Sequence, residues 1–140
     1  MVLVSRENIL EYIPQREPIC LVHTIYECTP ESVKTGFKVE ENHLLVNDGC
    51  LTEAGITENM AQSSAAHAGY LARQQNLPPK VGFIGNIKDL VIHQLPAVNS
   101  EVITEIKIKA FVMNVTLVTA VSTCNGKPVA ECEMKIFLQE

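Results

Sequence analysis

No stretch of the 140-residue sequence approaches the roughly 18 consecutive apolar residues of a membrane span, and the run Met1-Val2-Leu3-Val4 is too short for a signal peptide. A cytoplasmic protein is therefore expected. No cluster of Lys and Arg occurs and the net charge is −5, which argues against nucleic acid or an anionic membrane as partner. The five cysteines are odd in number and form no C-x-x-C pair, so neither a disulfide framework nor a zinc site is indicated. Cys20, Cys28, Cys124 and Cys132 read as small buried hydrophobes, and Cys50 is the one candidate nucleophile. No His/Cys/carboxylate group has ligand spacing and no Gly-rich phosphate loop is present, so no metal or cofactor is expected. With no linker, repeat or low-complexity segment, residues 1–140 read as one domain.

What the sequence does have is one long helical candidate, Leu51 to Gln75, free of proline and rich in Ala, Met, Leu, Glu and Gln. At about 100° per residue, Ala54, Ala61, Ala65, Ala68 and Ala72 fall close to one line, predicting a small apolar face that a sheet wraps tightly. Glu58 lies near the centre of that line, where an ionised carboxylate without partners is costly. Either it reaches water from the helix edge, or it is retained there for chemistry. Gln62, one turn later, can reach it through an i, i+4 hydrogen bond. His67 falls on the opposite side and is expected to face solvent.

Around this helix the pattern is mostly β. Ser5 is expected to cap a short helix over Arg6 to Tyr12, ended by Pro14. Ile19 to Tyr26 and Val33 to Val39 read as a hairpin, which places His23 on a strand. After the break at Asn76-Leu77-Pro78-Pro79, strands are expected over Val81 to Ile92, Glu101 to Val112, Val115 to Cys124 and Pro128 to Leu138. The Asn125-Gly126 turn is the strongest hairpin signal, whereas the inward face of Glu101 to Val112 stays undecided because its alternation is not clean. The order is that of an α+β domain: a curved antiparallel sheet around one long central helix, the hotdog arrangement.

Four segments in this order resemble the 3-hydroxyacyl-[acyl-carrier-protein] dehydratases. Ile13-Pro14-Gln15-Arg16-Glu17-Pro18-Ile19-Cys20-Leu21-Val22 is similar to their opening Leu-Pro-His-Arg-x-Pro-Phe-Leu-Leu-Val, and Glu58-Asn59-Met60-Ala61-Gln62 to their Glu-Ala-Met-Ala-Gln. Gly82 to Lys88 and Gly126 to Met134 follow their late strands. Within that family the chain looks closest to the dehydratase-like proteins of aryl-polyene and flexirubin-type pigment synthesis. The resemblance implies a hotdog fold, Glu58 as a catalytic carboxylate, an acyl carrier protein or coenzyme A thioester as substrate, and a homodimer or a heterodimer with a related hotdog subunit.

The sequence also departs from that family. Its members carry Gly-His-Phe-Pro-Gly before the long helix, with the histidine as acid/base, and here a shorter stretch, Leu45-Val46-Asn47-Asp48-Gly49-Cys50, stands instead. His43 is either a displaced base or a loop histidine bonded to backbone. Asp48-Gly49 is either a turn, with glycine free to take positive φ, or the place where Asp48 stands in for the histidine. Gln62, Gly49 and Cys50 are the residues expected to bind substrate. Dehydration needs a base at C2, an acid for the departing hydroxyl and donors for the enolate-like oxygen, and amides at the helix start are candidate donors. Three readings follow: an active dehydratase using Glu58 with Asp48 or His43, an acyl thioesterase, or a subunit that lends its helix to a histidine-bearing homologue.

Overall fold

The computed structural model describes residues 1–78 and 82–138. Its elements follow in the order β1 (Thr24–Thr29), β2 (Ser32–Lys38), β3 (Val46–Asn47), β4 (Cys50–Leu51), α1 (Glu53–Gln74), β5 (Gly82–Ile92), β6 (Glu101–Val112), β7 (Val115–Cys124) and β8 (Lys127–Leu138). The Asn125-Gly126 turn joins β7 to β8 with φ of 52° and 76°, the two left-handed residues that a tight twisted hairpin needs. Six strands form one antiparallel sheet in the order β1-β2-β6-β7-β8-β5, and β3 pairs with β4 separately. One helix on one antiparallel sheet is the expected α+β, hotdog arrangement.

Side-chain alternation settles the face of β6 that sequence left open. Val102, Thr104 and Ile106 are buried beneath the helix and Glu101 and Lys107 are exposed. A bulge between Ile108 and Ala110 explains the irregular alternation towards the end of the strand. Val33, Phe37, Val118, Ala120, Cys132 and Met134 extend the same core, and Ile56, Met60 and Ala66 meet it from the helix.

Several expectations are corrected. The helix spans Glu53–Gln74, capped by Thr52, whose side chain accepts from the Gly55 amide. The proposed helix over Arg6 to Tyr12 is only a 3₁₀ turn, Ile9–Glu11, and Ser5 is not its cap. Ile19 to His23 is not strand, because the Leu21 main chain bonds to helix side chains instead of to a neighbouring strand. His23 precedes β1, His93 follows β5, and the start expected at Val81 lies outside the described residues.

The alanine line does not pack directly on the sheet. Ala54 is exposed and Ala61, Ala65, Ala68 and Ala72 are half-buried. The face that meets the sheet is that of Gly55, Ile56, Asn59, Met60, Ser63, Ala66 and His67. His67 is thus buried, contrary to the solvent-facing expectation.

The two outer strands of the sheet differ. Val4 bridges to Ile25, exchanging backbone bonds of 3.0 Å in both directions, so β1 is capped at that residue by the chain's own N-terminal segment. Among the described residues nothing bridges to the outer side of β5.

Candidate active site

The helix is fixed over the sheet by polar contacts that hydrophobic periodicity does not reveal. Thr35, Thr104 and Ser122 stand in register across β2, β6 and β7 and are buried. Thr104 Oγ1 donates to Asn59 Oδ1 at 2.6 Å, so the Ser122 hydroxyl, 2.7 Å away, donates to Thr104. Asn59 Nδ2 donates to the Leu21 carbonyl at 2.7 Å, and Ser63 Oγ donates to the Asn59 carbonyl while receiving the Thr35 hydroxyl at 2.8 Å. Every member is paired. Buried polar groups stabilise only on that condition, since each orphan costs about 1–3 kcal/mol.

The next turn of the same network holds Glu58. Gln62 is fully buried, its Oε1 accepting the Leu21 amide at 2.6 Å. Its Nε2 donates to the Ile19 carbonyl at 2.9 Å and to Glu58 Oε2 at 3.0 Å. Both N–H groups of the amide are therefore occupied, and Gln62 fixes the half-buried Glu58 carboxylate from one side. The residues expected at i+3, i+7 and i+10 from Glu58 on that face are Ala61, Ala65 and Ala68, and all three line a cleft of 980 Å³. Ile106, Ile108, Phe111, Val118, Ile84 and Ile136 form the sheet side of that cleft. A carboxylate thus stands one helical turn from Ala61 in the wall of a mainly apolar cleft.

The other expected site residues lie on the loop before the helix. Asp48 and Gly49 have φ of 52° and 76° and form the exposed tip of the β3–β4 hairpin, so the turn geometry is real whatever chemistry Asp48 has. Cys50 is half-buried and bridges to Ala97 through backbone. His43 Nδ1 accepts the Leu45 amide at 3.0 Å, which leaves Nε2 to donate to the Cys20 carbonyl, also at 3.0 Å. Both ring nitrogens are engaged by main chain. At the helix start, the cap occupies the Gly55 amide that could otherwise serve an oxyanion.

Two histidines are set apart by burial. His23 packs at a tilt against Phe37 and accepts the Lys38 amide, and burial together with the nearby Arg6 guanidinium pushes its pKa down to about 4, against the pull of Glu40 at 3.8 Å. His67 lines the cleft and donates from Nε2 to the Thr29 carbonyl at 2.7 Å. Its burial lowers its pKa, an effect the Thr29 bond partly opposes. Reasoning from sequence missed His67, Ser64 and Gln15 as cleft-lining residues. The mid-helix Ser63-Ser64 pair was the available signal, because serine hydroxyls inside a helix need partners. Among the described residues, no group of three or more His, Cys, Asp or Glu is placed to hold a metal ion, and no helix is long and apolar enough to cross a membrane.

Comparison with known proteins adds to this geometry. Residues 7–140 match the ApeP-like family, described as the ApeP dehydratase. No curated protein matches the sequence. Among solved structures, a chain of the dehydratase heterocomplex ApeI:P from Xenorhabdus doucetiae superposes with a TM-score of 0.86 at 14% identity, covering 94% of this chain and 91% of that one. A hypothetical thioesterase from Streptococcus pneumoniae TIGR4, solved with coenzyme A, gives 0.67 at 13% identity, covering 82% and 84%. The E. coli PaaI protein from the phenylacetic acid degradation operon gives 0.63 at 10% identity, covering 81% and 80%. At these identities the structures establish the shared fold.

Proposed function

Because the chain belongs to the ApeP-like dehydratase family, we propose that it takes part in removing water from 3-hydroxyacyl thioesters during aryl-polyene-type chain synthesis, as one subunit of a pair whose other member bears the histidine. The observation that carries this reading is Glu58, held by Gln62 one turn from a cleft of 980 Å³. None of the four histidines of the chain bonds to it among the described residues. The superposed Xenorhabdus doucetiae chain is part of a dehydratase heterocomplex, and β5, uncovered among the described residues, suits a second hotdog chain.

In this reading the partner's base removes the C2 proton, electrons move to form the C2–C3 double bond, and Glu58 gives its proton to the C3 hydroxyl, which leaves as water. Gln62 keeps the carboxyl aimed and the acyl chain runs past Ala61 into the cleft. Asp48, Gly49 and Cys50, in the hairpin before the helix, are the residues we assign to the thioester end of the substrate, which arrives on acyl carrier protein or coenzyme A. His43 is a loop-fixing residue. The chain works as one domain over residues 1–140, in the cytoplasm with its carrier-bound substrates.

The test is to purify the chain alone, a related histidine-bearing subunit alone, and the two together, and to follow a 3-hydroxyacyl carrier thioester by mass. Dehydration by the mixture and by neither subunit alone is expected. Hydrolysis of the thioester by this chain alone, without dehydration in any mixture, would establish a thioesterase instead.

A further inference from the structure

Two polar atoms in the cleft wall stand without partners. Among the described residues, the buried side-chain oxygens that make no hydrogen bond are Ser64 Oγ and Gln15 Oε1, and both residues line the same cleft. A helical serine ordinarily can return its hydroxyl to the carbonyl four residues back. Ser63 does so to Asn59, and Thr57 does so to Glu53. Ser64 does not.

Gln15 reaches this wall because its segment is pinned at both ends along the helix. A Cβ at Gly69 would collide with the Tyr12 carbonyl oxygen, so only glycine admits that approach. Further along, Ile19 and Leu21 are held by Gln62. The stretch between these anchors runs beside the turns that carry Ser64 and Ala65. Burying an oxygen without a bond loses its hydration with no return. Here two such oxygens remain in the wall of a cleft that Ala61, Ala65, Ala68, Ile106 and Ile108 also line.

We propose that Ser64 and Gln15 are a reading point that selects acyl chains bearing a hydroxyl at this depth over plain hydrocarbon chains. The inference rests on the acyl-thioester reading of the cleft. The ligand hydroxyl gives its hydrogen to Gln15 Oε1 and accepts one from Ser64, whereas a methylene in the same place leaves both groups unpaired. Ser64 is six residues beyond Glu58, so the hydroxyl lies about 9 Å along the helix from the carboxylate's turn.

The experiment measures equilibrium binding of two pantetheine thioesters of equal chain length to the full chain, with any co-purifying subunit retained. One carries a hydroxyl at that depth and the other is fully alkyl. The hydroxylated ligand is expected to bind about tenfold more tightly, and Ser64→Ala combined with Gln15→Leu to erase or reverse the order. Ser64→Ala alone is expected to lose about threefold and to melt no lower than the parent, because no native bond is removed. Equal or weaker binding of the hydroxylated thioester, a preference that survives the double substitution, or a Ser64→Ala protein that melts several degrees lower overturns the proposal while leaving the acyl cleft standing. If neither thioester binds, the acyl-thioester reading falls, and the reading point falls with it.

Discussion

Ser63 and Ser64 are neighbours in sequence, about 100° apart on one helix, and they have opposite fates. Ser63 belongs to a flank where Asn59, Gln62, Thr35, Thr104 and Ser122 pair with one another or with main chain. Ser64 belongs to a flank of half-buried alanines that opens on the cleft. One flank uses its hydrogen bonds to hold the helix in register over the sheet. The other leaves surface and polar capacity for something that is not part of the chain. Glu58 sits on the seam, aimed by a residue of the first flank towards the space beside the second.

The comparison can be broken by substitutions that should act on one flank alone. The largest effect is expected for Glu58→Gln, which keeps the shape and a group that can bond Gln62 yet lowers turnover of the paired subunits by roughly 10²–10⁴-fold, with the melting temperature little changed. Next comes Asn59→Leu, expected to cost about 2–4 kcal/mol in urea unfolding, because it strands the Leu21 carbonyl and the Thr104 hydroxyl. Ala65→Val on the cleft flank should cost less than about 1 kcal/mol while weakening long acyl chains more than short ones in a kcat/KM comparison. Similar stability losses at Asn59 and Ala65 would erase the distinction between the flanks.

Smaller effects sharpen the picture. His23 is held neutral, so between its folded pKa of about 4 and its ordinary value of 6.5 the unfolded chain binds more protons. Its contribution to stability is therefore complete above pH 6.5 and is lost as pH falls towards 4. His67, also lowered, acts in the same direction, and Glu40, lowered chiefly by its Arg6 hydrogen bond, loses its contribution as pH falls further. His23→Asn, which keeps an acceptor for the Lys38 amide, should flatten the pH dependence of the urea midpoint between pH 7 and 5. Asp48→Asn should do least. Asparagine tolerates the positive φ, so stability is expected within about 0.5 kcal/mol and turnover of the pair within about threefold. A hundredfold loss of turnover there, with the fold intact, would make Asp48 the base.

Local chemistry was legible where it acts through nearest neighbours. Glu101–Val112 and Val115–Cys124 have the bounds that their composition predicts, and the Asn125-Gly126 and Asp48-Gly49 turns have the φ values that those dipeptides favour. The Glu58–Gln62 bond followed from i, i+4 spacing. The orientation of the helix did not, because hydrophobic periodicity assigns the sheet the smallest and most apolar line. The sheet instead offers Thr35, Thr104 and Ser122, and Asn59 and Ser63 are their complement, a match that exists only once three strands are in register. Ile19 to His23 misled for a related reason: it has the composition of a strand, but its Leu21 main chain is satisfied by side chains 38 and 41 residues away.

The sheet's unequal outer strands bear on how far assembly can go. A sheet open on both sides can add neighbours without end, as fibres do. Here β1 is bridged at Ile25 by Val4 of its own chain, whereas nothing bridges to the outer side of β5 among the described residues. Strand addition is therefore directed to β5, and the short bridge at Val4 makes β1 the less open side of the sheet.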